Sequence, residues 1–209
     1  MSSGASYVAS TPNAQNIYTV EIARIEPSEI EGCVDKTKFD SLCESGCSNY
    51  QKKWSCPPYA PCFSEYCIGW DFLFVFFMHT NMSQYSHIMN DYLKIKAANS
   101  ILKSRADKFL RRASAMHGRY ISTGSCRLCR PCKCSVAMPC ARSELMAYSF
   151  EAMGVDVSSM TELCFNTPLL WYKAHRLPEY TSVICGLLTN KIQVTTNSLQ
   201  AEYAAIITS

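Results

Sequence analysis

The stretch CRLCRPCKC, residues 126–134, places four thiols within nine residues, and a further cysteine follows at position 140. Thiols this dense dominate the local fold, because they must either pair as disulfides or converge on metal. The chain has thirteen cysteines in 209 residues. An odd number cannot be fully paired, and a reducing cytosol favours metal or catalytic use over disulfides. Metal ligation is therefore the expectation, and a disulfide framework is the competing one.

Cys126, Cys129 and Cys132 form C-x2-C-x2-C. That spacing lets successive thiolates converge on one cubane, as in the opening of the bacterial ferredoxin run, whose fourth ligand comes from elsewhere. Cys140 is the preferred fourth ligand. It precedes a helix expected over Ser143–Met153, whose N-terminal amides would face an anionic cluster. Cys134, one residue beyond Cys132, has an awkward reach. Structural zinc sites usually combine two separated C-x2-C pairs, so the triplet favours a [4Fe–4S] cluster, with zinc as the alternative. Arg127, Arg130, Lys133 and Arg142 lie here with no acid between them. They either offset the site's charge and attract an acidic redox partner or are plain solvated cations.

The second group is CESGCSNYQKKWSCPPYAPC, residues 43–62. Cys43, Cys47 and Cys56 are its expected core, followed by a stiff Pro-Pro step. Trp54 and Tyr50 either cover a cluster and exclude water or simply pack. Cys62 is the preferred fourth ligand, with Cys67 and Cys33 also within reach. A closed site suits electron transfer, whereas an open one leaves a metal position for substrate.

The two motifs C-x3-C-x2-Y-x3-W-S-C-P-P (Cys43–Pro58) and G-S-C-R-L-C-R-P-C…P-C-A-R-S-E…S-F-E-A-M-G-V-D-V (Gly124–Val157) occur in order. Together they resemble a family of predicted metal-binding proteins of unknown function, found mainly in anaerobic prokaryotes. The likeness runs from about residue 40 to 190. It implies one family site at Cys43, Cys47 and Cys56 and another at Cys126, Cys129, Cys132 and Cys140. It also implies that Cys62, Cys67 and Cys134 are additions. The family usually has Arg-His-Pro-Glu after its last cysteine, where this chain has Ala141-Arg142-Ser143-Glu144.

The remaining sequence predicts an α+β fold. It would be a compact single domain over residues 16–209, with a small sheet, one long helix and both cysteine loops on one side. Residues 1–15 read as a disordered leader without signal-peptide character. Strands are expected over 16–26, 71–79 and 181–189, loop over 31–67, and helix over 83–117, stopped by Gly118. The apolar run FLFVFFM is too short to cross a bilayer. Cys164 and Cys185 read as small buried hydrophobes, His79 as a loop residue and Glu151 as part of a solvated helix face. The net charge of +3, with no basic block, argues against nucleic acid. A soluble cytoplasmic protein without membrane contact is expected. No phosphate loop, nucleophile elbow or HExxH motif is present.

Three functions fit these features. The first is an iron–sulfur protein with two [4Fe–4S] clusters, serving electron transfer or redox support. The second is an enzyme with an open iron on three cysteines, suited to desulfuration or dehydration of a small substrate. The third is a zinc-stabilised interaction module. The expected partner is an acidic redox protein or a small-molecule substrate.

Overall fold

Six consecutive apolar side chains cannot present one dry and one wet face. Leu73 to Met78 are each at most 1% exposed, so their strand must be covered on both sides. The computed structural model, which describes residues 2–11 and 14–208, shows how. Strand β3 (Phe72–Asn81) is the centre of a five-stranded sheet of order β1-β2-β3-β5-β4, with β1 Ser2–Thr11, β2 Ala14–Ile25, β4 Arg119–Ile121 and β5 Tyr180–Thr189. All neighbours are antiparallel.

One face packs on two helices, α3 (Asp91–His117) and α5 (Thr196–Thr208). Phe74, Phe76 and Met78 meet Leu102, Phe109 and Tyr203 there. The other face carries Leu73 and Val75 against Ile30, Phe63, Phe150, Met153 and Val157. Three short helices lie on the chain that feeds this side: α1 (Lys36–Gly46), α2 (Phe63–Tyr66) and α4 (Val157–Phe165). Gly186 of β5 makes room for Phe150, whose Cζ would lie 2.9 Å from an added Cβ.

The α+β expectation, with its small sheet, long helix and two cysteine loops, is what the fold shows. Several local expectations need correction. Residues 2–11, expected within a disordered leader, form β1 and pair along their length with β2; residues 1, 12 and 13 lie outside the described residues. Alternation is enough for this strand. Ala9 is fully buried, and the Tyr7 hydroxyl accepts from Gln200 Nε2 at 2.7 Å beside the Tyr203 ring.

The long helix starts at Asp91 rather than near residue 83. Asn90 caps it by accepting from the Leu93 amide at 3.0 Å, after a separate 3₁₀ turn over Met82–Tyr85. The helix expected over Ser143–Met153 does not form. Two 3₁₀ turns, Ser143–Leu145 and Glu151–Met153, flank an extended step in which Tyr148 O accepts from Ser122 N at 2.7 Å. The pull of the sheet edge at β4 outweighs local helix propensity. The loop expected over 31–67 contains α1, which carries Cys43. His79 lies within β3, its Nε2 3.1 Å from Glu21 Oε1, rather than in a loop. Among the described residues no helix is long and apolar enough to cross a membrane.

Candidate metal centres

Backbone geometry brings the first centre together from two directions. Asp35 caps α1 by accepting from the Lys38 amide at 2.9 Å. The helix carries Cys43 in its last turn, and Cys47 is its C-terminal cap. Its start is held by Asp35 N donating to Gly154 O and Asp156 N donating to Cys33 O, both at 2.8 Å. The segment EAMGVDV, remote from the thiols in sequence, is thus the mount for their helix. Cys56 comes from the following loop and is buried.

Burial pushes the Cys56 thiol up to about 11; Ser55 opposes this, and neighbouring Cys47 and Cys43 reinforce it. Cys43 is likewise raised by burial, then by Cys47, Asp40 and Glu151. These three thiols therefore lie within one another's electrostatic reach. A thiolate beside other thiolates is disfavoured until a cation joins them, which fits a metal site. Cys62 sits elsewhere, at the N-cap of α2, with its Sγ 3.8 Å from Ser64 Oγ. Its electrostatic neighbour is Cys67, whose thiol burial pushes up to about 12. Cys33 neighbours Cys164 and Asp156.

The second centre is a cavity lined by Cys126, Cys129, Cys132 and Cys140 together with Trp54, Ser55 and Met146. Burial raises the Cys126 thiol, a hydrogen bond from the Leu128 backbone opposes this, and Cys140, Cys132 and Cys129 add to it. Cys140 reaches the group without the helix expected to follow it. Cys134 is buried and donates from Sγ to Gln51 O at 3.5 Å, so it ties one cysteine loop to the other.

That tie is one of several. Lys53 Nζ donates to Ser125 Oγ at 2.9 Å and to Cys126 O at 3.0 Å. Trp54 Nε1 donates to Met138 O at 2.9 Å. Ser55 Oγ accepts from Cys126 N at 2.9 Å. The motif KKWSC thus supplies a thiol to the first centre and the wall of the second. Since Ser55 bonds the Cys126 amide and Cys56 is the next residue, the two Cα atoms of Cys56 and Cys126 are on the order of 10 Å apart. Arg127, Arg130, Lys133 and Arg142 are all exposed, forming a basic rim with exposed Val136 and Met138.

All thirteen cysteines are free thiols. Among the described residues, no three His, Cys, Asp or Glu side chains already stand as a single-ion site. The four thiols of the second centre line a common narrow cleft of about 10 Å³.

The family model of predicted metal-binding proteins, DUF2284, matches residues 24–188. The chain belongs to that family. The match spans both thiol groups and the EAMGVDV mount. No curated protein and no solved structure matches the chain.

Sequence reasoning did not find Lys53, Ser55 or Gly154 as parts of the centres. Their roles are contacts across 70 or more residues, such as the separation of 71 between Ser55 and Cys126. Glu151, expected on a solvated helix face, is half-buried. Desolvation raises its carboxyl, and Lys103 is its charged neighbour.

Proposed function

We propose that this chain is a two-centre iron–sulfur protein of electron transfer or redox support. Cys126, Cys129, Cys132 and Cys140 would hold one [4Fe–4S] cluster, and Cys43, Cys47 and Cys56 a second. The observation that carries this is the cavity bordered by four thiols and walled by Trp54 and Ser55 of the opposite loop. Four thiolates around a shared space, opened by C-x2-C-x2-C, suit a cubane. When bound, such clusters accept and return single electrons, and an iron without a protein thiolate also acts as a Lewis acid.

The chain's own groups fit that use. Trp54 and Met146 limit water at the second centre, which tunes a potential. The Cys56–Cys126 proximity favours electron passage between centres. The exposed basic rim suits an acidic redox protein as partner, and thirteen free thiols suit a reducing cytoplasm.

One observation favours a more specific role for the Cys43 centre. Cys62 neighbours Cys67 and Ser64 rather than the Cys43, Cys47 and Cys56 thiols. Three protein thiolates on a cubane leave one iron available, as in catalytic metal sites. Substrate chemistry at that position, with the second centre as its electron relay, is the enzyme reading.

The test is metal and acid-labile sulfide content of two variants purified without oxygen. Cys129→Ala should lose about half of the iron and Cys47→Ala the other half. Two separate centres are refuted if neither variant loses iron. Zinc without sulfide would replace the redox role with a structural one.

A further inference from the structure

A cavity of about 340 Å³ is lined by Glu151, by residues of α3 and β5, and by Leu169–Tyr172 of the irregular segment 166–179. This volume is in the range of small-molecule sites, about 300–1,000 Å³. Its walls are of two kinds. Ile95, Leu169, Trp171, Val183 and Ile184 are its apolar lining. Asn99, Lys103, Thr123 and Glu151 are its polar lining.

Asn99 and Lys103 are one turn apart on α3 and therefore share a face. The Asn99 carbonyl oxygen accepts from Thr181 Oγ1 at 3.0 Å, which leaves the amide NH₂ to donate. Lys103 Nζ lies near Gly124. Among the described residues its charged neighbours are Arg127, Glu151 and Asp107, and it makes no direct ion pair with either acid. Desolvation pushes the carboxyls of both acids toward their neutral form.

We infer that this cavity binds a small organic carboxylate with an apolar body, its carboxylate on Lys103 and Asn99 and its body against Trp171, Leu169 and Ile184. A carboxylate accepts from both donors at once and pairs an ammonium that makes no direct ion pair among the described residues. The apolar wall takes the remainder of the molecule. Desolvation of Lys103 agrees with this, because an ammonium withdrawn from water gains from an anion placed beside it. Glu151 lines the cavity and is also an electrostatic neighbour of Cys43, which links the cavity to the three-thiol centre. The cavity's meaning as a substrate site rests on the open-position reading of that centre, whereas binding itself does not.

The experiment is ligand-observed NMR on the full chain, purified without oxygen, with phenylacetate and hexanoate against phenylacetamide and hexanamide. Iron and sulfide are counted on the same sample. The two carboxylates should bind and the two amides should bind at least about tenfold more weakly, the loss of a charged hydrogen-bonded contact. Lys103→Gln should weaken the carboxylates by about the same factor. Asn99→Asp, which keeps the helix and opposes a carboxylate, should weaken them too and serves if Lys103→Gln fails to fold. Equal binding of acids and amides, or carboxylate binding unaffected by either substitution, overturns the inference. Absence of carboxylate binding in iron-replete protein also overturns it. Selective binding in protein without iron supports the cavity and removes the cluster, so the two failures are distinct.

Discussion

Gly154→Ala should release the Cys43 centre while leaving the Cys126 centre in place. Gly154 has φ +90°, and a Cβ there would lie 2.6 Å from Lys36 Cα and 2.9 Å from Lys36 N. Both atoms are backbone, so no side-chain rotation relieves the contact. Left rigid, the site would bear about 1–3 kcal/mol of conformational strain and about 1–3 kcal/mol of overpacking. The alternative is for α1 to lift away. That helix buries none of its residues, and the two hydrogen bonds of the Val34–Val155 bridge hold its start. At about 1 kcal/mol for each backbone hydrogen bond, detachment costs about 2 kcal/mol, at the lower end of the combined strain of about 2–6 kcal/mol. The helix should therefore move, taking Cys43 and Cys47 with it. Metal analysis should show loss of about half the iron, and hydrogen exchange should show loss of protection confined to α1 and its flanks. Full iron with unchanged α1 protection would refute the claim that Gly154 mounts the helix.

Other outcomes follow from the same contacts. Cys62→Ala should leave the visible spectrum of the Cys43 centre unchanged, and a bleached centre would place Cys62 among its ligands. Ser55→Ala removes the acceptor of the Cys126 amide, so chemical denaturation should show a loss of about 1–3 kcal/mol, and an unchanged midpoint would deny that bond its role. Glu151 gives a pH signature. Its folded pKa is raised by desolvation, so the folded chain keeps its proton where the unfolded chain has lost it, and stability falls as pH rises from about 4.3 through the raised value. Glu151→Gln removes that slope, so its melting temperature relative to the unsubstituted chain should rise from pH 4 to pH 8; a constant difference would show that the carboxyl is not desolvated.

What could be read from the sequence was what depends on neighbours in the chain. FLFVFFM announces a strand covered on both faces, and the C-x2-C-x2-C triplet announces convergent thiols, because both are local patterns. Apolar periodicity places the start of α3 several residues early, since Asn90 as a cap is decided by one side chain against a background of continuing periodicity. The helix expected over Ser143–Met153 failed for a non-local reason, the pairing of Tyr148 and Ser149 with Ser122 at the sheet edge. Ser2–Thr11 looked like a polar leader because its partner strand and the Tyr203 ring beside Tyr7 are invisible to composition. The centres follow the same division. The ligand groups were legible in their spacing, whereas Ser55 against Cys126, Gly154 against Lys36 and the Lys103–Asn99 cavity exist only after the chain has folded back on itself.

The most direct measurement is iron, zinc and acid-labile sulfide per chain, made on protein purified without oxygen. Two [4Fe–4S] centres predict about eight irons with equal sulfide. Zinc bound at one or two per chain, without sulfide, would contradict them and make both centres structural.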